Sequence, residues 1–482
     1  MQAGQDQKQA FPLWLAICQA LAIVLLLVVI VFGADRSYWY DEVYTLGFAA
    51  IGQDLDWALL KSDVHPPTYA LLIRGMAGLF DMGPYGYDLR LVNLPALLAA
   101  IYGFWLLRQV FDPARLALLT VMLVVNFYTL MLGLDLRSYA LLLGFGWLAH
   151  AAYLLELGGQ RPRHATLILS CILLWSLHFF GAAIGLSLLA ASALHGWRMG
   201  MARWAIALRL GLAAVLFALF CGWVFVASDV LASTGGKGWI RNGLDPLLNF
   251  VGWQAVAMLV LLTALVLRRR MARQGRAAPK PPRIILWLFL PGAMVLVAAA
   301  VISFHTPVIS SRNLTVLVPP VLLAIAFHVP DRMLTPHLGF SARPLVAGLA
   351  VTAIVAVIGL RSADNGTRNG QMVEWVLREA TIPECDGEPV YVFIPDQLDR
   401  VAQRVYFGRV VREPLNYLDY DPALISASCP VIGMGWHENG TVDDVVAFLA
   451  QRGTETVPVL PPDPRLAAAR LLISGYVVRR AD

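Results

Sequence analysis

Two carboxylates, Asp41 and Glu42, stand side by side in the run Tyr38-Trp39-Tyr40-Asp41-Glu42, a few residues past a long apolar segment. His65 follows one loop later in His65-Pro66-Pro67-Thr68-Tyr69. Further along come Asp135-Leu136-Arg137-Ser138-Tyr139, Ser176-Leu177-His178-Phe179-Phe180 and Ser311-Arg312-Asn313-Leu314. A carboxylate can take the proton of an attacking hydroxyl, while cations and hydrogen-bond donors stabilise a departing anion. Arginine suits a phosphate in particular, because its planar fork of donors matches the phosphate oxygens. The combination therefore fits transfer of a group from a phosphate-linked donor. Asp41 and Glu42 are the candidate bases, and His65, Arg137, His178 and Arg312 the candidate cations or donors. Each also has a plainer reading. His65 before two prolines fits a turn, His178 a core histidine, Arg137 a snorkelling interface residue, and Asp135 a partner for Arg137. Tyr38, Trp39 and Tyr40 suit an aromatic belt. Lys237, in Gly235-Gly236-Lys237-Gly238, reads as a surface lysine.

The elements that must position these residues are membrane helices. The chain is 58% hydrophobic and 14% charged, with a mean hydropathy of +0.65, whereas soluble domains carry about 25% charged residues. The basic pI of about 9.0 does not point to nucleic acid, since the cations fall in short loops between apolar segments rather than on one face. The first segment, Phe11–Phe32, is long enough to span about 30 Å of hydrocarbon. It lacks a strongly basic start, is too long for the apolar region of a signal peptide and has no clean cleavage site, so it reads as a retained helix. Further apolar segments follow at Leu91–Leu107, Leu116–Met131, Tyr139–Leu155, Ala165–Ser176, Phe180–Leu194, Ile206–Ala227, Leu247–Leu267, Ile284–Ser303, Leu314–Phe327 and Leu345–Leu360, for about eleven crossings in all.

Orientation follows from Arg268, Arg269, Arg270, Arg273, Arg276, Lys280 and Arg283, a stretch without an acid. Such a loop belongs in the cytoplasm. Counting back puts Arg108, Arg115, Arg161 and Arg163 inside as well. The Asp41-Glu42 loop, Asp135-Arg137 and Ser310-Ser311-Arg312 are then outside. This count requires Ala165–Leu194 to be two short helices meeting near His178. Broken helices at depth often line a cavity.

After Leu360 the composition becomes that of a soluble domain. Pro389–Ile394, Pro430–Met434 and Leu471–Val478 read as buried strands, with helices at Gln397–Phe407 and Val442–Arg452. Cys18, Cys171 and Cys221 lie in apolar segments and read as packing residues. Cys385 and Cys429 lie in the polar tail and could pair in an oxidising compartment. No spacing suits a metal.

Aromatic-Asp-Glu followed by His-Pro-Pro-x-Tyr resembles the first outward loop of the GT-C glycosyltransferases, which take sugars from polyprenyl-phosphate carriers. Asp135–Leu141 resembles their second outward motif, Ser176–Gly181 their His-Phe-Phe break, and Ser311–Leu314 with Pro319-Pro320 their segment before a late helix. Asn313 stands where an aromatic is common. The resemblance is to the protein mannosyltransferase and aminoarabinose transferase group. It implies an all-α polytopic membrane domain of about eleven transmembrane helices with the GT-C fold (residues 1–360), and a C-terminal periplasmic α/β domain (361–482). It implies an inverting transfer with Asp41 as base and Glu42 close second. His65, Asp135, Arg137, Tyr139, His178 and Arg312 would bind donor phosphate and substrate. Because the lipid tail must stay in hydrocarbon while the sugar phosphate sits at headgroup depth, Asp41, Glu42, His65, Arg137, His178 and Arg312 are expected on the floor of one outward cavity. No cofactor is required, although the acid pair could take a divalent cation. The partners would be a polyprenyl-phosphate sugar and a lipid, glycan or protein acceptor. The site of action would be the outer face of a bacterial inner membrane, with the N-terminus cytoplasmic. A lipid-linked sugar flippase would instead carry charges at the bilayer midplane and related halves. A non-catalytic glycolipid-binding assembly protein would tolerate loss of Asp41.

Overall fold

The computed structural model describes residues 12–34, 40–52, 54–55, 57–61, 65–83, 87–226, 243–274, 283–305 and 307–334, together with five strands and a few isolated positions beyond them. The chain divides into two units. One comprises Met1–Val31, Trp57–Tyr69 and Arg90–Ile358, and the other Phe32–Asp56, Ala70–Leu89 and Gly359–Asp482.

The first unit is a helical membrane domain. Among the described residues, six helices are long and apolar enough to cross a membrane. They are α1 (Leu13–Ala34), α5 (Leu94–Leu107) with the 3-10 turn Tyr87–Asn93 before it, α7 (Tyr139–Leu157), α9 (Phe179–Arg198), α10 (Arg203–Val226) and, counting α11 to α14 in chain order, α13 (Ile284–Ser303). The unit's shorter apolar helices are α6 (Pro113–Val124), α8 (His164–Leu177) and the joined turn and helix Asn313–His328, whose α-helical part is α14 (Val318–His328), while α4 (Thr68–Phe80) falls mostly in the second unit. Leu345–Leu360, expected as a last crossing, lies largely outside the described residues.

The segment read as one span, Leu247–Leu267, is instead two helices, α11 (Asp245–Trp253) and α12 (Ala255–Arg273), bent by 76°. The break falls at Gln254, whose buried Oε1 accepts a 2.5 Å hydrogen bond from Asn126 Nδ2. Burying a side-chain amide in an apolar core is costly unless it is hydrogen-bonded, and the Asn126 contact meets that need for the Gln254 carbonyl oxygen. Arg268, Arg269, Arg270 and Arg273, expected in a loop, lie on the last turns of α12. There they complement the helix dipole, and Arg268 Nε donates to the His328 carbonyl at 2.8 Å.

α7 is the central helix. It is apolar all round and buried nearly everywhere along its length, as a helix enclosed by others must be. α1 instead exposes Leu13, Ile17, Leu21, Val24 and Val28, a stripe at helical spacing that suits lipid. The expected break at His178 is present between α8 and α9, although α9 is a full-length helix rather than a short one. Glycine makes that hairpin tight. A Cβ at Gly181 would lie 2.2 Å from the Leu174 carbonyl oxygen and 2.6 Å from Leu142 Cδ2. Gly185 faces the Cys171 backbone in the same way, a small-residue spacing that lets helix backbones meet closely. Gly181→Val should therefore lower the thermal unfolding midpoint of the detergent-solubilised protein, by an overpacking cost of about 1–3 kcal/mol. Gly75→Ala, with open space at its Cβ position, should leave the midpoint unchanged. Cys18 and Cys171 are buried, but Cys221 is exposed on its helix rather than packed.

In the second unit lies α2 (Tyr40–Ala49). A five-stranded sheet there has the order β2-β1-β3-β5-β4, with β1 (Tyr391–Ile394), β2 (Leu415–Asn416), β3 (Val431–Gly435), β4 (Thr454–Pro458) and β5 (Ser474–Arg480). β1 runs parallel to β2 and β3, with Val392 opposite Ile432. β5 runs antiparallel to β3 and β4, with Val431 opposite Val478. β1, β3 and β5 fall on the three apolar runs read as strands. β2 and β4 carry no such apolar run, being short or interrupted by polar residues. The expected helix Gln397–Phe407, nearly all of Val442–Arg452, and Cys385 and Cys429 lie outside the described residues.

Candidate functional site

His178 organises one end of the helical unit. Its backbone is extended (φ −168°, ψ 149°), which ends α8 and begins α9. Its Nδ1 accepts the Phe180 backbone N–H at 3.1 Å, a side-chain cap on the first turn of α9. With Nδ1 accepting, the ring proton of the neutral imidazole sits on Nε2. That Nε2 is buried and makes no hydrogen bond among the described residues. A buried donor is thus held in place without a partner among the described residues, which normally costs stability.

His65 stacks on His178, with centroids 4.1 Å apart and planes at 29°. Phe179 meets the His65 ring edge-on at 5.9 Å, and Tyr139 lies 5.8 Å from the His178 ring. Burial, and after it the Arg137 charge, pushes the His65 imidazole down to about 3. Burial, His65 and Arg137 hold His178 well below the usual histidine range. Both rings are therefore neutral near pH 7, and Arg137 is the fixed positive charge beside them.

Two contacts that the sequence did not reveal hold the neighbouring loops. Tyr69 Oη donates to Asn93 Oδ1 at 3.0 Å, and Asn93 Nδ2 donates to the Asp135 carbonyl at 2.8 Å. The buried amide of Asn93 thus ties the His-Pro-Pro-Thr-Tyr stretch to the Asp135–Arg137 loop. The Asp135 side chain is itself buried. The second contact comes from a π turn at Tyr128–Leu132, a form of helix found often at functional sites. The Tyr128 hydroxyl donates to the Ser311 carbonyl, tethering the segment that carries half-buried Arg312. Asn313 Nδ2 donates to the Val308 carbonyl at 2.9 Å and Thr315 Oγ1 to that of Arg312 at 2.5 Å. Asn313, unlike the aromatic common there, is a loop-closing amide. Asn93 carried one sequence signal: a lone amide just before an apolar helix.

The structure thus gathers His65, Arg137, Tyr139 and His178, with Asp135 and Arg312 on tethered loops of the same unit. Asp41 and Glu42 belong to the second unit, in the first turn of α2. Thr45 Oγ1 donates to the Asp41 carbonyl at 2.9 Å. Glu42 is fully buried and Asp41 half-buried. Both sit at a helix start, where the dipole favours an anion. Tyr38, Trp39 and Lys237 lie outside the described residues.

No family model and no curated protein matches the sequence. Among solved structures, the chain resembles ArnT from Cupriavidus metallidurans in the apo state, with a TM-score of 0.57 and 14% identity over 96% of this chain and 97% of that one. It resembles the same protein bound to undecaprenyl phosphate at a TM-score of 0.55 and 16% identity, over 96% and 98% of the two chains. The likeness is one of fold, and it runs through both chains almost from end to end.

Proposed function

We propose, on the GT-C fold that these likenesses show, that the chain is a membrane glycosyltransferase. It would move a sugar from a polyprenyl-phosphate donor to a lipid, glycan or protein acceptor at the periplasmic face of a bacterial inner membrane. The observation that carries this reading is the buried His178 Nε2–H, unpartnered among the described residues, on a ring stacked against neutral His65 within the field of the Arg137 charge. A fixed cation next to a pre-oriented neutral donor is what a phosphate leaving group needs. The undecaprenyl phosphate in the second ArnT structure supports a carrier of that class here.

The proposed reaction is a single inverting displacement. Asp41, the more accessible of the two acids, takes the proton of the acceptor hydroxyl, and Glu42 is its close second. The hydroxyl oxygen bonds to the anomeric carbon. The bond from that carbon to the phosphate oxygen breaks, and its electron pair leaves with the phosphate. Arg137, Arg312 and the His178 Nε2–H receive the charge that develops there, and Asp135 and Tyr139 shape the surrounding wall. The stacked imidazoles add polarity beside Arg137 without adding a second charge.

Arg137→Ala and Arg312→Ala should each weaken binding of a polyprenyl-phosphate donor analogue by about 1.5–3 kcal/mol, the worth of a hydrogen bond to a charged group. Isothermal titration calorimetry on the purified protein reads this directly. Unchanged affinity in both variants would place the phosphate elsewhere. Comparing lipid and glycan extracts of deletion and parent cells would then show which glycan loses a sugar.

A further inference from the structure

The end of the helical unit opposite His178 carries a second built feature. α5 begins beside Asn93, rises about 21 Å over its length, and ends at Leu107. Its outer face exposes Leu94, Leu98, Ile101 and Trp105, a stripe with helical spacing. Arg108 follows one turn after Trp105, and its guanidinium carbon lies 4.6 Å from the indole centroid. A second guanidinium, from Arg163 in the α7–α8 turn, reaches the same ring at 5.8 Å. Two cations from separate elements thus converge on one exposed tryptophan.

Like charges do not gather over one ring for their own benefit. Each gains a little from the π face, but they repel one another and would be more stable with an anion between them. Among the described residues, neither guanidinium has a carboxylate partner, and Arg163 Nε is shielded from solvent without a hydrogen bond. Arg163 also stands at the N-cap of α8 and offers no side-chain acceptor to the amides there. Their partial positive charge adds to the same locus. The α7–α8 turn is set by Gly159 at φ +68° and by the Gln160 N–H bonded to the Leu155 carbonyl at 3.0 Å, so Arg163 is presented from an ordered turn.

We infer that Arg108, Trp105 and Arg163 form a seat for the headgroup of an anionic phospholipid, with an acyl chain lying along the α5 stripe. The phosphodiester sits between the two guanidiniums and the glycerol backbone rests on the indole. The stripe running into the cation pair decides for a lipid over a soluble phosphate, which would gain nothing from Leu98 and Ile101. Basic sites of this kind at the cation-rich end of membrane helices match the anionic lipids of that leaflet. The seat lies apart from the proposed sugar-transfer site and shares no residue with it.

Native mass spectrometry of the full chain in detergent, titrated with dioleoyl phosphatidylglycerol, tests the seat. The parent should retain one phosphatidylglycerol in preference to dioleoyl phosphatidylcholine and hold it in the presence of inorganic phosphate. Arg108→Gln with Arg163→Gln should weaken that adduct on the order of 10-fold. Trp105→Ala should weaken it to a lesser degree, with the protein still folded by circular dichroism. The exposed arginines Arg203 and Arg269 serve as a control, because they lie at the same end outside the cluster. Arg203→Gln with Arg269→Gln should leave the adduct intact. Equal loss in this control would show diffuse surface charge and overturn the seat. Equal retention of phosphatidylcholine by the parent, displacement by inorganic phosphate, or an unchanged adduct in the Arg108/Arg163 variant would also overturn it.

Discussion

Asp41→Asn should abolish the proposed sugar transfer while leaving the protein folded and able to bind donor. The change is nearly isosteric, so the first turn of α2 and the Thr45 bond to the Asp41 carbonyl, a backbone contact, survive. What is lost is the carboxylate charge proposed to accept the hydroxyl proton, and loss of a general base costs about 10²–10⁴ in rate. With Asp41 as the base, Glu42, fully buried one residue on, should not replace it in the variant, because adjacent residues on a helix point about 100° apart. Turnover of the purified variant with a polyprenyl-phosphate sugar is the measurement. Near-parent turnover removes Asp41 from this role, and Glu42→Gln is then the next variant to assay.

Arg209→Met should cause a large loss of stability, because it breaks a buried ion pair among the described residues. Arg209 NH2 meets Glu156 Oε2 at 2.8 Å, with side-chain exposures of 1% and 5%. Ser192 Oγ donates to the other Glu156 oxygen at 2.8 Å, and His164 Nδ1 lies 2.7 Å from the same guanidinium nitrogen. This network joins α7, α8, α9 and α10 at the end away from His178. Removing one partner of a buried pair leaves the other charged and dry, a loss of about 3–5 kcal/mol. Replacing both, Glu156→Gln with Arg209→Met, should restore much of the difference, because no orphaned charge remains. Thermal and denaturant unfolding in detergent separates the two cases. A single variant as stable as the parent would mean that water reaches Glu156.

The four motifs brought His65, Arg137, Tyr139 and His178 into view because a charge or imidazole at the end of an apolar run is costly unless used or paired. The Glu156–Arg209 pair carries the same signal, a lone acid and a lone base within apolar stretches, but their partnership spans two helices and has no local pattern. Asn93, Tyr128 and Gln254 were harder still. A single amide or phenol becomes a tether only when its partner, far along the chain, arrives within hydrogen-bond reach.

The sequence by itself determined that the chain is a multi-pass membrane protein, where its long apolar helices lie, where α8 gives way to α9, and which ionisable groups stand at helix ends. These properties are local. Hydrocarbon solvates only apolar runs of sufficient length, and the hydropathy of a run is written in its own residues. Tertiary structure decided the rest: the bend at Gln254, the placement of the α12 arginines on the helix, the π turn at Tyr128, and the fixed tautomer of His178. It also decided that two imidazoles and Arg137 share one end of the helical unit, while Arg108 and Arg163 share one indole at the other. Those outcomes depend on contacts between residues tens of positions apart, and their energies are set by burial and distance, which no window of sequence contains.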